Sequence, residues 1–262
     1  MVDLSAVSPA IALGPLDGRY RAVAAPLINH LSEAALNRAR LKVEVEWLIH
    51  LTDHGVLPGA PRLSETEKAY LRGIVEDFGA ETIAELADIE AETRHDVKAV
   101  EYLLKHRLTA AGHAAAGPAA GSANSAAAAS TGPASSAAAD ATPAPGVNAT
   151  VVGADGGPTV LPTVGEIVHI FCTSEDINNL SYALTIRAAV EQVWLPAARG
   201  LVEDLAAMAH EYADAAMLAR THGQPATPTT LGKEMAVLAH RLRRQVRRVE
   251  ATEYLGKING AT

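Results

Sequence analysis

The fold is decided by the stretch TTLGKEMAVLAHRLRRQVRRVEATEYL, residues 229–255. Its large apolar side chains recur at intervals of three and four residues and therefore lie on one face of a helix. These side chains are Leu231, Met235, Leu238, Leu242, Val246 and Val249. A helix of about 27 residues is roughly 40 Å long, a length typical of elongated bundles that are commonly shared between subunits. The sequence therefore predicts an all-α protein.

Other helices are predicted before this one. Residues 26–54 have the spacing of one long helix, and Ser64 with Glu67 forms a capping box that opens the next. Residues 81–90 and Asp96–Arg107 have the pattern of two further helices.

The segment that leads to the last helix is also predicted to be helical. A short helix runs from Pro162 to Phe171, and a long helical region covers Ser174–Tyr212 with a break or kink at Pro196. The loop that follows is marked by Gly223, Pro225 and Pro228. No alternating pattern predicts a strand.

Three pieces follow from these patterns. Residues 1–108 are interpreted as an N-terminal helical domain, and residues 162–262 as the first long helices of a central helical bundle. Residues 109–161 are rich in Ala, Gly, Ser and Pro and offer almost no large apolar side chains, so we expect a flexible surface insertion. A regulatory or binding role for this insertion is the alternative.

Composition excludes several classes of protein. The net charge of −8 disfavours nucleic acid or an anionic membrane as a partner. The run 241–248 is rich in Arg, but its apolar positions belong to the helical stripe, so its arginines are expected at the surface. Residues 1–12 lack a basic segment, no apolar run reaches 18 residues, and Cys172 is the one cysteine. These features favour a cytoplasmic protein without a metal site.

Four polar islands interrupt the apolar helical sequence and are the candidate sites. They are Asp17–Tyr20, Thr93–Asp96, Thr173–Asn179 and Arg220–Pro228. A surface turn is the structural alternative for the first island, and a helix cap formed by Thr93 or Asp96 is the alternative for the second. Capping by Thr173 or Ser174 explains the acids of the third island but not its two adjacent asparagines.

The fourth island favours a catalytic role. Gly223, Pro225 and Pro228 restrict the backbone around His222, whose imidazole can exchange a proton near neutral pH. His169 and Cys172, which precede the third island, are interpreted as packing residues.

Together the islands resemble the adenylosuccinate lyase family of the fumarase/aspartase superfamily. The matching stretches are SPAIALGPLDGRY, LKVEVEWLIHL, TRHDVKAVEYLL, HIFCTSEDINNLSYAL, RTHGQPATPTTLGKEMAVLAHRL and YLGKING. The resemblance is greatest to the bacterial branch. It implies β-elimination of a C–N bond, with release of fumarate from adenylosuccinate and from the succinylated aminoimidazole carboxamide ribotide of purine synthesis. It implies a homotetramer with sites built from three subunits, and no cofactor.

The resemblance also implies roles for named residues. His222 would be the general acid, and His95 would assist it. Arg19 and Tyr20 would bind the nucleotide, with Arg19 at the phosphate. The remaining substrate-binding residues would be Arg94, Asp96, Thr173, Ser174 and Thr221.

Two departures from the family bear on these expectations. Family members are longer, and their catalytic serine lies in a Ser-Ser-x-Met-Pro-x-Lys-x-Asn loop that this sequence does not contain. We therefore expect an incomplete and inactive chain. The second departure is the insertion, which leaves the motifs on both sides intact. Two alternatives stay open, namely another superfamily lyase, such as one acting on argininosuccinate, and an inactive helical protein that only associates.

Overall fold

A computed structural model describes residues 11–115 and 157–260 of the chain. The α-helices are α1 Arg21–Ala24, α2 Ile28–Leu31, α3 Glu33–Asp53, α4 Glu65–Glu76, α5 Ala80–Thr93, α6 Asp96–Ala115, α7 Ser174–Ala189, α8 Leu195–Glu211 and α9 Leu231–Glu250. Short 3₁₀ helices cover Pro15–Asp17, Ala25–Leu27 and Leu161–Ile167, and Val190–Trp194 is a π-helical segment. Strands β1 Ala216–Thr221 and β2 Gln224–Thr230 pair antiparallel. The predicted helical fold class is confirmed.

The described residues divide into two units. The first contains those of Arg40–Asn178 together with Asn259 and Gly260, and the second contains those of Ser8–Ala39 and Asn179–Ile258. The predicted division at residues 108 and 162 stays a prediction.

The core of the first unit is built from large aliphatic side chains and one phenylalanine. Those with almost no exposed surface include Leu41, Leu48, Leu51, Leu71, Phe78, Leu103, Leu104, Leu108 and Leu161. The predicted capping box opens α4, since Glu67 N–H donates to Ser64 Oγ at 3.1 Å and Ser64 N–H donates to Glu67 Oε2 at 2.7 Å.

The single helix predicted over residues 26–54 is wrong. Pro26 lies in a 3₁₀ turn, and α2 ends before Ser32, whose ψ of 163° is extended. Ser32 Oγ accepts the N–H of Ala35 at 3.2 Å, so this serine starts α3 as a cap. The short helix predicted to reach Phe171 also ends early, at Ile167, because His169 and Phe171 have positive φ.

Both flanks of the predicted insertion are packed within the first unit. Helix α6 continues to Ala115, beyond the predicted boundary at residue 108. A side chain at Gly112 would come within 2.4 Å of the Pro162 ring, so these two residues pack closely. Glu67 Oε1 accepts Thr159 Oγ1–H at 2.7 Å and Val160 N–H at 2.8 Å. The rest of the insertion, 116–156, lies outside the described residues.

The second unit is organised by the pairing of α8 with α9. Leu195, Val202 and Val246 are its buried apolar cluster. Gly232 lets α9 approach the end of α8, because a Cβ there would lie 2.4 Å from the Ala209 carbonyl oxygen. The predicted break near Pro196 is confirmed, since the π-helical segment ends two residues before this proline.

Candidate active site

His95 joins the starts of two helices within the first unit. Its Nδ1 accepts the N–H of Lys98 at 3.3 Å, so the imidazole caps α6. In a neutral ring this acceptor role leaves the proton on Nε2. Nε2 lies 3.4 Å from Ser174 Oγ, at the first residue of α7. The predicted residues His95 and Ser174 are therefore brought together.

Arg94 ends the preceding helix. Its φ of 55° is left-handed, and its N–H donates to the Glu90 carbonyl oxygen at 2.8 Å. Arg94 lines a shallow surface pocket with Ala87, Glu90 and Ala91. Thr93 Oγ1 donates to the His95 carbonyl oxygen at 3.3 Å, so capping of α6 by Thr93, the structural alternative, is not what the fold uses.

Asp96 is held by a buried arginine that sequence reasoning missed. Arg40 Nη2 donates to Asp96 Oδ2 at 2.6 Å, and Asp96 Oδ1 lies 3.5 Å from His95 Nδ1. Burial raises the pKa of Asp96, but the Val97 N–H and the Arg40 guanidinium outweigh it and hold this pKa below its usual value. Asp96 is therefore a fixed carboxylate beside His95.

Thr173 and Ser174 lie at the start of α7, and Asp176 holds Thr173 there. Asp176 Oδ2 accepts both the N–H and the hydroxyl of Thr173, each at 2.9 Å. Asp176 Oδ1 accepts the N–H of Asn259 at 2.9 Å, and a side chain at Gly260 would collide with Thr173. Asp176 thus bonds both to the start of α7 and to the backbone of Asn259.

The two adjacent asparagines have separate structural partners. Asn178 Oδ1 accepts Arg40 Nε–H at 2.8 Å in the first unit. In the second unit, Asn179 Oδ1 accepts the N–H of Lys257 at 2.9 Å. These contacts account for amides that helix capping left unexplained.

His222 lies at the tip of a hairpin rather than in the predicted loop. Thr221 pairs with Gln224, and both His222 (φ 51°) and Gly223 (φ 73°) have positive φ, as a two-residue type I′ turn requires. The residues of the tip are exposed, and no residue in the described part of the chain bonds to the His222 ring.

Arg19 and Tyr20 contact each other in the second unit. Arg19 Nη2 donates to Tyr20 Oη at 2.7 Å, and the guanidinium carbon lies 4.8 Å from the centre of the tyrosine ring. Tyr20 is 49% exposed, so this pair presents a cation and a hydroxyl at the surface.

His169 forms a buried ion pair rather than simple packing. Its Nδ1 lies 2.5 Å from Oε1 of Glu44, which is completely buried, and Glu44 Oε2 has no partner among the described residues. The hydrogen bond to Glu44 raises the pKa of His169 despite burial. Cys172 nearby has its pKa raised to about 12, chiefly by burial, so its thiol stays protonated.

The part of the chain that the structure describes offers neither a metal cluster nor a membrane-spanning helix. No group of three or more His, Cys, Asp or Glu side chains in residues 11–115 and 157–260 could hold a metal ion. Within the same ranges, no helix is both long and apolar enough to cross a membrane.

Comparison with known proteins gives consistent matches. A family profile described as "Lyase" matches residues 18–262. Adenylosuccinate lyases of Haemophilus influenzae and Escherichia coli are each 37% identical over 255 residues, and that of Vibrio cholerae is 34% identical over 260. These alignments cover 97–99% of the chain but 46% of each relative, so the chain spans about half of their length.

The fold is also found in solved structures. A fumarate lyase from Mesorhizobium sp. BNC1 matches with a TM-score of 0.56 at 17% identity, covering 86% of this chain and 39% of that one. The 3-carboxy-cis,cis-muconate lactonizing enzyme from Pseudomonas putida matches with a TM-score of 0.54 at 18% identity, covering 86% and 38%. At these identities the likeness concerns the fold alone.

Proposed function

This chain belongs to the lyase family, and we propose that it is part of an adenylosuccinate lyase. The enzyme would release fumarate from adenylosuccinate and from the succinylated aminoimidazole carboxamide ribotide. The proposal is supported by relatives of that name that are 34–37% identical over nearly all of this chain. A cytoplasmic location stays a prediction.

The reaction sets clear chemical requirements. A base removes a proton from the carbon beside a carboxylate, the electron pair forms the C=C bond, and the C–N bond breaks. The departing nitrogen takes a proton from a general acid. Positive charge or hydrogen-bond donors must stabilise the carbanion at the neighbouring carboxylate.

The start of α7 supports a carboxylate-binding role. Ser174 brings a hydroxyl to a helix N-terminus, where the helix dipole favours an anion, and Thr173 precedes it with its own hydroxyl proton donated to Asp176. His95 Nε2, 3.4 Å from Ser174 Oγ, supplies a proton-bearing group at the same position. This meeting of two distant motifs is the observation that carries the proposal.

The other roles are proposed from the resemblance together with residue chemistry. His222 is the general acid, and Thr221 contacts substrate beside it. Arg19 binds the ribotide phosphate with Tyr20, because a guanidinium fork matches phosphate oxygens. Arg94 and Asp96 contact substrate and orient His95.

A homotetramer is proposed for the assembled enzyme. Several large apolar side chains of the second unit are 40% or more exposed, namely Leu184, Ile186, Trp194, Leu201 and Leu238. Partner helices that cover them would remove a large apolar surface from water. Light scattering on the purified protein should give a mass of four chains, and a clean monomer would contradict the assembly.

The experiment that tests the function is a comparison of substrates. The protein, expressed from its complete reading frame, is mixed with adenylosuccinate or with argininosuccinate, and fumarate release is followed. Turnover of adenylosuccinate alone supports the proposal. Turnover of argininosuccinate alone favours another superfamily lyase, and turnover of neither favours a protein that only associates.

A further inference from the structure

Arg40 bridges the starts of the two helices that carry the candidate site. Arg40 lies in α3, which contributes none of the predicted site residues, and its side chain is 5% exposed. Nη2 donates to Asp96 Oδ2 at 2.6 Å, and Nε donates to Asn178 Oδ1 at 2.8 Å. Asp96 is the first residue of α6, and Asn178 lies in the first turns of α7.

A second bridge joins the same helices nearer the surface. His95 Nε2 and Ser174 Oγ meet at 3.4 Å, and both side chains are partly exposed. Such an exposed contact competes with water and does not by itself fix the spacing of two helices. A charge-assisted hydrogen bond is stronger and more directional, and the Arg40 side chain that donates both bonds is buried, although its partner Asp96 is 45% exposed.

We propose that Arg40 is a positioning residue that holds α6 and α7 at the spacing that places His95 against Ser174. Within the proposed function, which this inference takes as its premise, Arg40 orients the assisting histidine without touching substrate. Its two neighbouring N–H donors serve two different acceptors at once. A lysine ammonium lacks this planar fork and cannot reproduce the geometry.

The test uses variants with a matched control. Arg40→Lys keeps the charge, Arg40→Met removes it, and Asn178→Ala removes one acceptor only. Arg72→Met is the control, because Arg72 makes an exposed two-point ion pair with Glu46 at 2.8 and 2.9 Å. The first readout is the nuclear Overhauser cross-peak between the His95 ring and the Ser174 β-protons, which needs no turnover.

We expect Arg40→Lys to fold and to lose most of this cross-peak, with Asn178→Ala weakening it and Arg72→Met leaving it unchanged. In the active protein, Arg40→Lys should lower kcat by about 10²-fold with little change in KM, since a misplaced assisting group costs rate rather than binding. If Arg40→Lys retains both the cross-peak and the kcat of the unaltered protein, Arg40 supplies only a positive charge and the inference is overturned.

Failure of the proposed function is a separate outcome. It is detected on the unaltered protein, as an absence of adenylosuccinate turnover. The positioning role is then decided by the cross-peak alone, and an intact cross-peak in both Arg40→Lys and Asn178→Ala overturns it. If Arg40→Met unfolds the protein, those two milder variants still decide the question.

Discussion

His95 Nε2 lies 3.4 Å from Ser174 Oγ although the two residues are 79 positions apart. One side chain caps the start of α6 and the other begins α7, so two helix N-termini meet at one pair of side chains. A helix N-terminus favours anions, and an imidazole beside it can donate a proton. The pair therefore places an anion-binding helix start and a proton donor side by side, as a lyase site that binds a carboxylate requires.

Replacing Gly232 with alanine should destabilise the α8–α9 pair. The added Cβ would lie 2.4 Å from the Ala209 carbonyl oxygen and 2.7 Å from Ala213 Cα, neither of which can rotate away. We expect a loss of about 1–3 kcal/mol in the free energy of unfolding, measured in urea. Gly200→Ala in α8 is the control, with open space around it and an expected gain of about 0.5–1 kcal/mol. Equal effects of the two changes would contradict the packing described here.

Residues 116–156 should be replaceable by a short Gly/Ser linker. The flanks are held independently, by Gly112 against Pro162 and by Glu67 with Thr159. A shorter loop also has a lower closure entropy, which grows only logarithmically with length. The melting temperature should change by less than about 5 °C in calorimetry. A larger fall would show that the replaced residues contribute to the packed structure.

The Glu44–His169 pair should make stability depend on pH. Because Glu44 raises the folded-state pKa of His169, the pair stabilises fully below the ordinary histidine pKa of about 6.5. That stabilisation is lost as pH rises through the raised value. Urea unfolding of the unaltered protein should therefore show falling stability across this window, and Glu44→Gln should remove the fall. Burial lowers the pKa of His30, but His30 is present in both proteins, so its contribution cancels when the two pH profiles are compared. Parallel pH profiles would rule out the pair as the cause.

Several elements could be predicted from short-range patterns in the sequence. The capping box of Ser64 and Glu67 and the break before Pro196 depend on neighbours in the chain, and both were predicted. The hairpin was not, because β1 and β2 are largely exposed on both faces and leave no alternation of apolar and polar residues. In the structure, the turn of the hairpin is defined by the positive φ values of His222 and Gly223.

The hydrogen bonds of Arg40 could not be predicted from its neighbours in the sequence, for another reason. Its acceptors Asp96 and Asn178 lie 56 and 138 positions away, so nothing near Arg40 distinguishes it from a solvated arginine. Glu44 is hidden in the same way, since its partner His169 is 125 positions away. A charged residue between apolar neighbours, as Glu44 stands between Val43 and Val45, is the one hint that sequence offers.

In the proposed reaction, His222 protonates the departing nitrogen of adenylosuccinate. The most direct test replaces His222 with asparagine, which removes the imidazole but suits the left-handed first position of a type I′ turn followed by Gly223. Alanine would strain that position and confuse loss of fold with loss of chemistry. His240→Asn, on the exposed surface of α9, is the matched control.

The measurement is fumarate release from adenylosuccinate by the protein expressed from its complete reading frame. His222→Asn is expected to lower kcat by about 10²- to 10⁴-fold with little change in KM, because a general acid acts mainly in the transition state. His240→Asn should leave both constants unchanged. Near-full kcat in His222→Asn, or a change confined to KM, would contradict the claim and make His95 the next candidate for the proton donor.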